Sequence, residues 1–252
     1  MDAEERRREL LKVVQTRKSV GLDELVEHLG VSRMTVHRDL DLLAARGLLR
    51  KQRGGASAES SLLFESNFHY RQEVHQPEKI ALAKAAARLI EPGHVIMLDD
   101  STTTLQICEE IKDIENVTVI TNSLAVCEKL RARPDTQLVL AGGNYNDTLE
   151  AFYGLLCEQT LRKLRADWTF MSAPSVIGTC LYHQDQEVVR IKRAMMEAAG
   201  KSVMLLDAAK FRTRALTQFA ELTEFDHIFI DRQIDPAAAR SLQQAGITFE
   251  LV

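Results

Sequence analysis

No apolar run in the chain approaches the roughly 18–20 residues that a membrane-spanning helix requires, so the sequence predicts no membrane segment. The start, MDAEERRRELLKVV, is charged and helix-like and lacks the apolar centre of a secretory signal. Cysteine is scarce. Cys108, Cys127, Cys157 and Cys180 lie far apart with no paired metal-ligand spacing, which reads as free thiols in a reducing compartment and no metal site. The chain has no GxGxxG dinucleotide fingerprint, no internal repeat and no low-complexity tract. These absences predict a cytoplasmic protein without a metal or organic cofactor.

What is present is enough for two domains or one large one: 252 residues, of which 45% are apolar, an ordinary share for a globular protein. The net charge of −4 hides an asymmetry. Residues 1–56 hold 12 Lys/Arg against 9 Asp/Glu, and between Arg33 and Arg53 six basic residues face only Asp39 and Asp41. A basic terminal segment on an acidic body suggests a nucleic-acid module attached to something else.

In the first sixty residues, Leu10, Leu11 and Val14 fall at helical spacing, and SVGLDELVEHLG gives a second short helix ending at Gly30. The turn GVS leads into a third, SRMTVHRDLDLLAARG, with Ser32 as N-cap and Gly47 as stop. Two helices joined by a short Gly-containing turn is the helix-turn-helix arrangement. Val36, Leu40 and Leu43 recur at i, i+4 and i+7 and pack inward, leaving Met34, Thr35, His37, Arg38 and Asp41 on outer or flanking surfaces. A helix exposing donors at its N-terminal end suits a major groove. Ser32, Arg33, Met34, Thr35, His37 and Arg38 are therefore the candidate DNA-contacting residues, and LLRKQRGGAS reads as a wing carrying Arg50, Lys51 and Arg53 to phosphates. The plainer alternative is a small helical dimerisation domain with a charged, solvated face.

VSRMTVHRDLDLLAARGLLRKQRGGA resembles the helix-turn-helix signature of the DeoR family of bacterial transcriptional regulators. Ser32, Thr35, Val36, Arg38, Asp39 and Leu40 match its recognition helix, and Arg53 to Ala56 match its wing.

Residues 57–76 are polar and aperiodic, a linker that partly docks and would carry changes in the placement of the two halves. From residue 77 to 252, apolar runs alternate with helical patterns. VIMLDD, VTVITN, QLVLAGG, DWTFMSA, SVMLLDA, HIFIDR and ITFELV are the strand candidates, with helices such as LAVCEKLRAR, LCEQTLRKLR, EVVRIKRAMMEAA and DPAAARSLQQAG between most of them. That alternation implies a Rossmann-like α/β domain with a parallel sheet covered on both faces, behind an N-terminal winged helix-turn-helix.

Polar residues gather at the C-terminal ends of those strands: Asp99 with Ser101, Thr102, Thr103 and Thr104, then Thr121 and Asn122, Gly142 and Gly143, and Lys210. Open α/β sheets bind ligands there. The hydroxyl run opening a helix suits an anion such as phosphate. Asp99 and Asn122 suit sugar hydroxyls, the glycines allow close backbone approach, and Lys210 supplies positive charge. Taken singly, each has a duller reading as a helix cap, a turn or a surface lysine.

EKIALAKAAARLIEPGHVIMLDDSTTTL, VTVITNSL, LVLAGG and LLDAAKF carry the DeoR resemblance through this half. It implies a fold similar to ribose-5-phosphate isomerase, glucosamine-6-phosphate deaminase and CoA-transferases, and a crevice that senses a phosphorylated sugar or related metabolite. The expected protein is a repressor of carbohydrate-metabolism genes, a homodimer or homotetramer on double-stranded operator DNA. The family usually has glycine where Ser101 stands. The alternative is a phosphosugar isomerase or deaminase with an appended DNA module, for which Asp99, Asp100 and Glu187 are the available carboxylates.

Overall fold

A computed structural model describes residues 2–252. The chain forms two compact units, one ending at Val74 and the other spanning His75–Val252.

In the first unit, Asp2 caps α1 (Ala3–Arg17) by accepting from the N–H groups of Glu4 and Glu5. The residues Ser19–Gly21 form strand β1, not the start of a helix, because buried Val20 pairs with Ala56. Helices α2 (Leu22–Leu29) and α3 (Arg33–Ala45) come next. Strands β2 (Arg50–Gln52) and β3 (Gly55–Ser57) complete a three-stranded antiparallel sheet in the order β1-β3-β2. Gly55 is needed there, since a Cβ would run into the carbonyl oxygen of Val20. Leu10, Val14, Leu25, Val36, Leu40 and Leu49 are at most 1% exposed and make the core. The unit continues past the wing: Asn67 caps α4 (Phe68–Glu73), donates to the Leu48 carbonyl at 3.1 Å, and is followed by buried Phe68 and Tyr70. Much of the stretch from Ser57 on thus packs as part of this unit.

In the second unit, α5 (Gln76–Ala87) has Pro77 in its first turn, where the missing N–H costs nothing. Then come β4 (Val95–Leu98), a 3-10 turn (Thr104–Gln106), α6 (Ile107–Glu110), β5 (Val117–Thr121), α7 (Leu124–Leu130) and β6 (Thr136–Leu140). A hairpin of β7 (Asn144–Asn146) and β8 (Ala151–Tyr153) leads to α8 (Leu155–Arg162) and β9 (Ala166–Ser172). Next are β10 (Ser175–Ile177), β11 (Cys180–His183), α9 (Gln186–Ala198) and β12 (Ala199–Leu206). The chain ends with β13 (Thr217–Glu221), β14 (His227–Ile230), α10 (Pro236–Gln244) and β15 (Glu250–Leu251).

Seven strands form one parallel sheet in the order β15-β14-β12-β9-β4-β5-β6. All seven apolar runs singled out in the sequence are in it. Their near-continuous apolar character has a direct cause: both faces are buried. Met97, Met171, Met204 and Ile228 join the core with α8, α9 and α10, while their neighbours Ile96, Phe170, Val203 and Phe229 are buried to a similar degree. Strand order reverses between β4 and β9. The chain winds outward through β5 and β6, then returns to β9 and winds the other way, so the loops after β4 and β9 diverge at a topological switch point. A small antiparallel sheet, β10-β11-β13, and the β7–β8 hairpin are additions whose mostly three- or four-residue strands kept them out of sight in the sequence.

Candidate functional site

The first unit presents one face of α3. Ser32 accepts from the Thr35 N–H at 3.2 Å and shares a hydrogen bond with its hydroxyl, so both side chains hold the helix start. Met34 is 78% exposed, and Arg33, His37 and Arg38 are exposed beside it. The opposite face is anchored by charge as well as by apolar packing. Buried Asp39 accepts from Arg6 Nε at 2.7 Å, and Arg7 lies at 3.9 Å. That hydrogen bond raises the Arg6 guanidinium above its ordinary value. Arg33 pairs with Asp23, and Lys51 with Asp41 at 2.5 Å; all four are solvent-exposed enough to exchange partners cheaply. Arg38 and Arg53 make no ion pair among the described residues. Arg50 is half-buried, with its Nε unbonded.

In the second unit, Asp99 lies at the switch point and both its oxygens are engaged. Oδ1 accepts from Ser101 N at 3.0 Å and Thr104 Oγ1 at 2.7 Å; Oδ2 accepts from Ser172 N at 3.1 Å and from the Lys192 ammonium. Lys192 also donates to the Ser172 carbonyl at 3.0 Å, and the two charged side chains are 3% and 1% exposed. One carboxylate therefore joins the loop after β4, the last residue of β9 and helix α9. Lys192 was not among the residues the sequence suggested. The available signal was its place on the apolar stripe Val188, Ile191, Met195, where α9 buries one face.

Ser101 does not need the freedom of glycine. It is not among the residues with positive φ, and its Oγ accepts from Thr104 N at 3.1 Å and shares a hydrogen bond with Thr104 Oγ1 at 2.8 Å. The hydroxyl run is thus divided in use: Ser101 and Thr104 brace the turn, while Thr102 and Thr103 are buried beside them. The run opens only a 3-10 turn and the four-residue α6, too short for the helix-terminal field that the sequence suggested.

Thr121 donates to the Leu98 carbonyl at 2.7 Å and accepts from Ser123 N at 3.0 Å, locking the loop after β5 against β4. Strand β8 crosses both loops. Asn122 Nδ2 donates to the Phe152 carbonyl at 3.0 Å, and the Tyr153 hydroxyl donates to Asp100 Oδ2 at 2.8 Å. Gly142 and Gly143 are exposed at the end of β6, and a Cβ on Gly143, whose φ is +147°, would run into the Tyr153 carbonyl. These loops come together. Lys210 stands apart, beyond β9 at the end of β12, with Nζ 3.6 Å from Asp207. Asp185 is the N-cap of α9. Among the described residues no His/Cys/Asp/Glu cluster could hold a metal ion, and no helix is long and apolar enough to cross a membrane.

An exposed helix-turn-helix surface in one unit and a gathering of polar loops at a sheet switch point in the other fit one class: a DNA-binding regulator with a sensor domain. The comparisons with known proteins agree. The DeoR-like helix-turn-helix domain matches residues 6–61, and the DeoR C terminal sensor domain matches residues 74–232. YgbI, an uncharacterised HTH-type transcriptional regulator of Escherichia coli K12, is 30% identical over 97% of this chain and 96% of its own. The L-fucose operon activator of Haemophilus influenzae is 30% identical over 94% and 96%, and the HTH-type transcriptional regulator IolR of Bacillus subtilis 32% over 90% of each. The chain belongs to the DeoR family of transcriptional regulators, which are not enzymes. Among solved structures, ribose 5-phosphate isomerase A of Methanocaldococcus jannaschii aligns over 54% of each chain at 19% identity and a TM-score of 0.40, too slight a likeness to argue from.

Proposed function

We propose that the protein is a cytoplasmic repressor of carbohydrate-metabolism genes whose operator affinity is set by a phosphorylated sugar or a related metabolite. The observation that carries the sensor half is the set of buried polar loops at the switch point, where we place the effector crevice. Buried polar groups from the loops after β4 and β5 meet there with no apolar explanation, while Asp99 and Lys192 hold the walls in place. Thr102, Thr103, Asn122, Gly142 and Gly143 line the effector's path, Asp99, Ser101, Thr104 and Thr121 shape it, and Lys210 offers the cation for a negatively charged group. Among the relatives, one is an L-fucose operon activator and another a putative aga operon transcriptional repressor, which supports a sugar-linked effector.

On the DNA side, Arg33, Met34, His37 and Arg38 read the major groove, with Ser32 and Thr35 fixing the helix start and Arg50, Lys51 and Arg53 on phosphates. Paired recognition helices need paired half-sites, so the working form is a homodimer or homotetramer. Effector and operator are coupled by linkage: a ligand that weakens operator binding is itself bound more weakly by the operator complex. The test is fluorescence anisotropy on the DNA upstream of the protein's own gene, with and without a panel of phosphorylated sugars. Specific binding released by one of them is expected. Binding that no phosphorylated metabolite alters would overturn the sensor reading.

A further inference from the structure

Asp100 is treated by the fold quite differently from its neighbour. Asp99 is neutralised by Lys192, whereas Asp100, 3% exposed, has no ion-pair partner among the described residues. Its Oδ2 accepts from the Tyr153 hydroxyl at 2.8 Å, and its Oδ1, buried, accepts nothing. Asn122, fully buried on the adjacent strand end, repeats the pattern: Nδ2 donates to Phe152 at 3.0 Å and Oδ1 accepts nothing. Both side chains are held by consecutive residues of β8, and Ser123, next to Asn122, bridges Ala151 on the same strand. The fold thus fixes two acceptors in orientation and leaves each without a donor. Buried acceptors in this state carry the full cost of lost hydration, and such atoms in a native structure call for a partner. The Asp100 charge is felt nearby: with burial as the larger cause, it holds the Cys157 thiol up to about 12.

We propose that Asp100 and Asn122, with Tyr153 as the residue positioning Asp100, form the subsite that reads hydroxyl groups of the effector. This rests on the crevice being the effector site. It assigns polarity to the ligand. A carboxylate and an amide oxygen repel phosphate, so the effector's anionic group lies away from β8 and its hydroxylated carbons lie against it. A site whose buried acceptors are satisfied only by hydroxyls discriminates strongly against a ligand that lacks them. The effector is therefore a polyhydroxylated phosphate rather than a simple anion. Ordered water is the competing occupant, and it would confer no such selectivity.

The test is isothermal titration of the full-length protein with inorganic phosphate, glycerol 3-phosphate, ribose 5-phosphate and glucose 6-phosphate. Wild type is compared with Asp100→Asn, which is isosteric, and Tyr153→Phe, which removes only the positioning hydroxyl. At least one sugar phosphate is expected to bind wild type about tenfold or more tightly than inorganic phosphate, the loss expected when one good hydrogen bond is missing. Asp100→Asn should collapse most of that ratio, and Tyr153→Phe part of it, with inorganic phosphate bound no more weakly by either variant. If Asp100→Asn does not fold, Tyr153→Phe carries the comparison alone. A ratio unchanged in both variants, sugar phosphates no tighter than phosphate, or equal weakening of every ligand would overturn the subsite while leaving the crevice standing. Failure of all four ligands to bind would overturn the crevice reading and the subsite with it.

Discussion

Replacing Lys192 with methionine keeps the length of the side chain and removes its charge, which strands the Asp99 carboxylate in a buried site. Asp99 and Lys192 are 1% and 3% exposed, so solvent cannot take over. Removing one partner of a buried pair costs about 3–5 kcal/mol. For a unit the size of His75–Val252, each kcal/mol corresponds to about 2–4 °C, so the unit should melt about 6–20 °C lower. Trp168, the chain's single tryptophan, lies on β9 and is 8% exposed, so its fluorescence reports this unit alone. That selectivity matters because a chain of two units need not melt in one step. The double variant Asp99→Leu/Lys192→Met removes both charges but orphans Ser101 N and Ser172 N, each worth about 1 kcal/mol. It should recover only part of the loss. A Lys192→Met melt within about 2 °C of wild type would refute the reasoning, because that is how a solvated surface lysine behaves.

Five further outcomes are expected. Arg38→Ala should weaken specific operator binding by about 1–3 kcal/mol and leave effector affinity intact, whereas Lys51→Ala should lower the salt dependence of binding by about one ion, both read by anisotropy against salt. Gly143→Ala should lower the tryptophan-monitored melt, because its Cβ would run into the Tyr153 carbonyl and push against Cys157; an unchanged melt would show that the hairpin yields freely. Burial pushes the Cys108 and Cys157 thiols up to about 12 from an unfolded value of 9.0. They should resist a thiol reagent at pH 8 while half-buried Cys127 and Cys180 react first. Since their folded values are raised, the stability they contribute is complete below pH 9 and is lost as the pH climbs toward 12, which a pH series of denaturant melts will check.

The seven-stranded sheet was legible because each strand is buried on two faces and so reads as a continuous apolar run. The recognition helix was legible because Ser32, Val36, Leu40 and Leu43 carry cap and stripe together. Other elements hid for physical reasons. Val20 sits in a three-residue strand whose partner, Ala56, is 36 positions away, so local pattern merged it with the following helix. The strands of β7, β8, β10 and β11 are three or four residues long, too short for an alternation to declare itself. At the crevice, Asp99 and Lys192 are 93 residues apart, and no spacing rule joins a carboxylate after one strand to a lysine on a later helix. Asp100 read only as a carboxylate available to an enzyme, and its pairing with Tyr153 emerged only once β8 was seen to cross the loop.

The most direct measurement of the central claim is a thermodynamic cycle: operator affinity with and without the sugar phosphate that binds best, and the affinity of that sugar phosphate with and without operator. Each ligand is expected to weaken the other by the same factor, typically about 5–150-fold. Operator affinity that stays constant at saturating effector would contradict it.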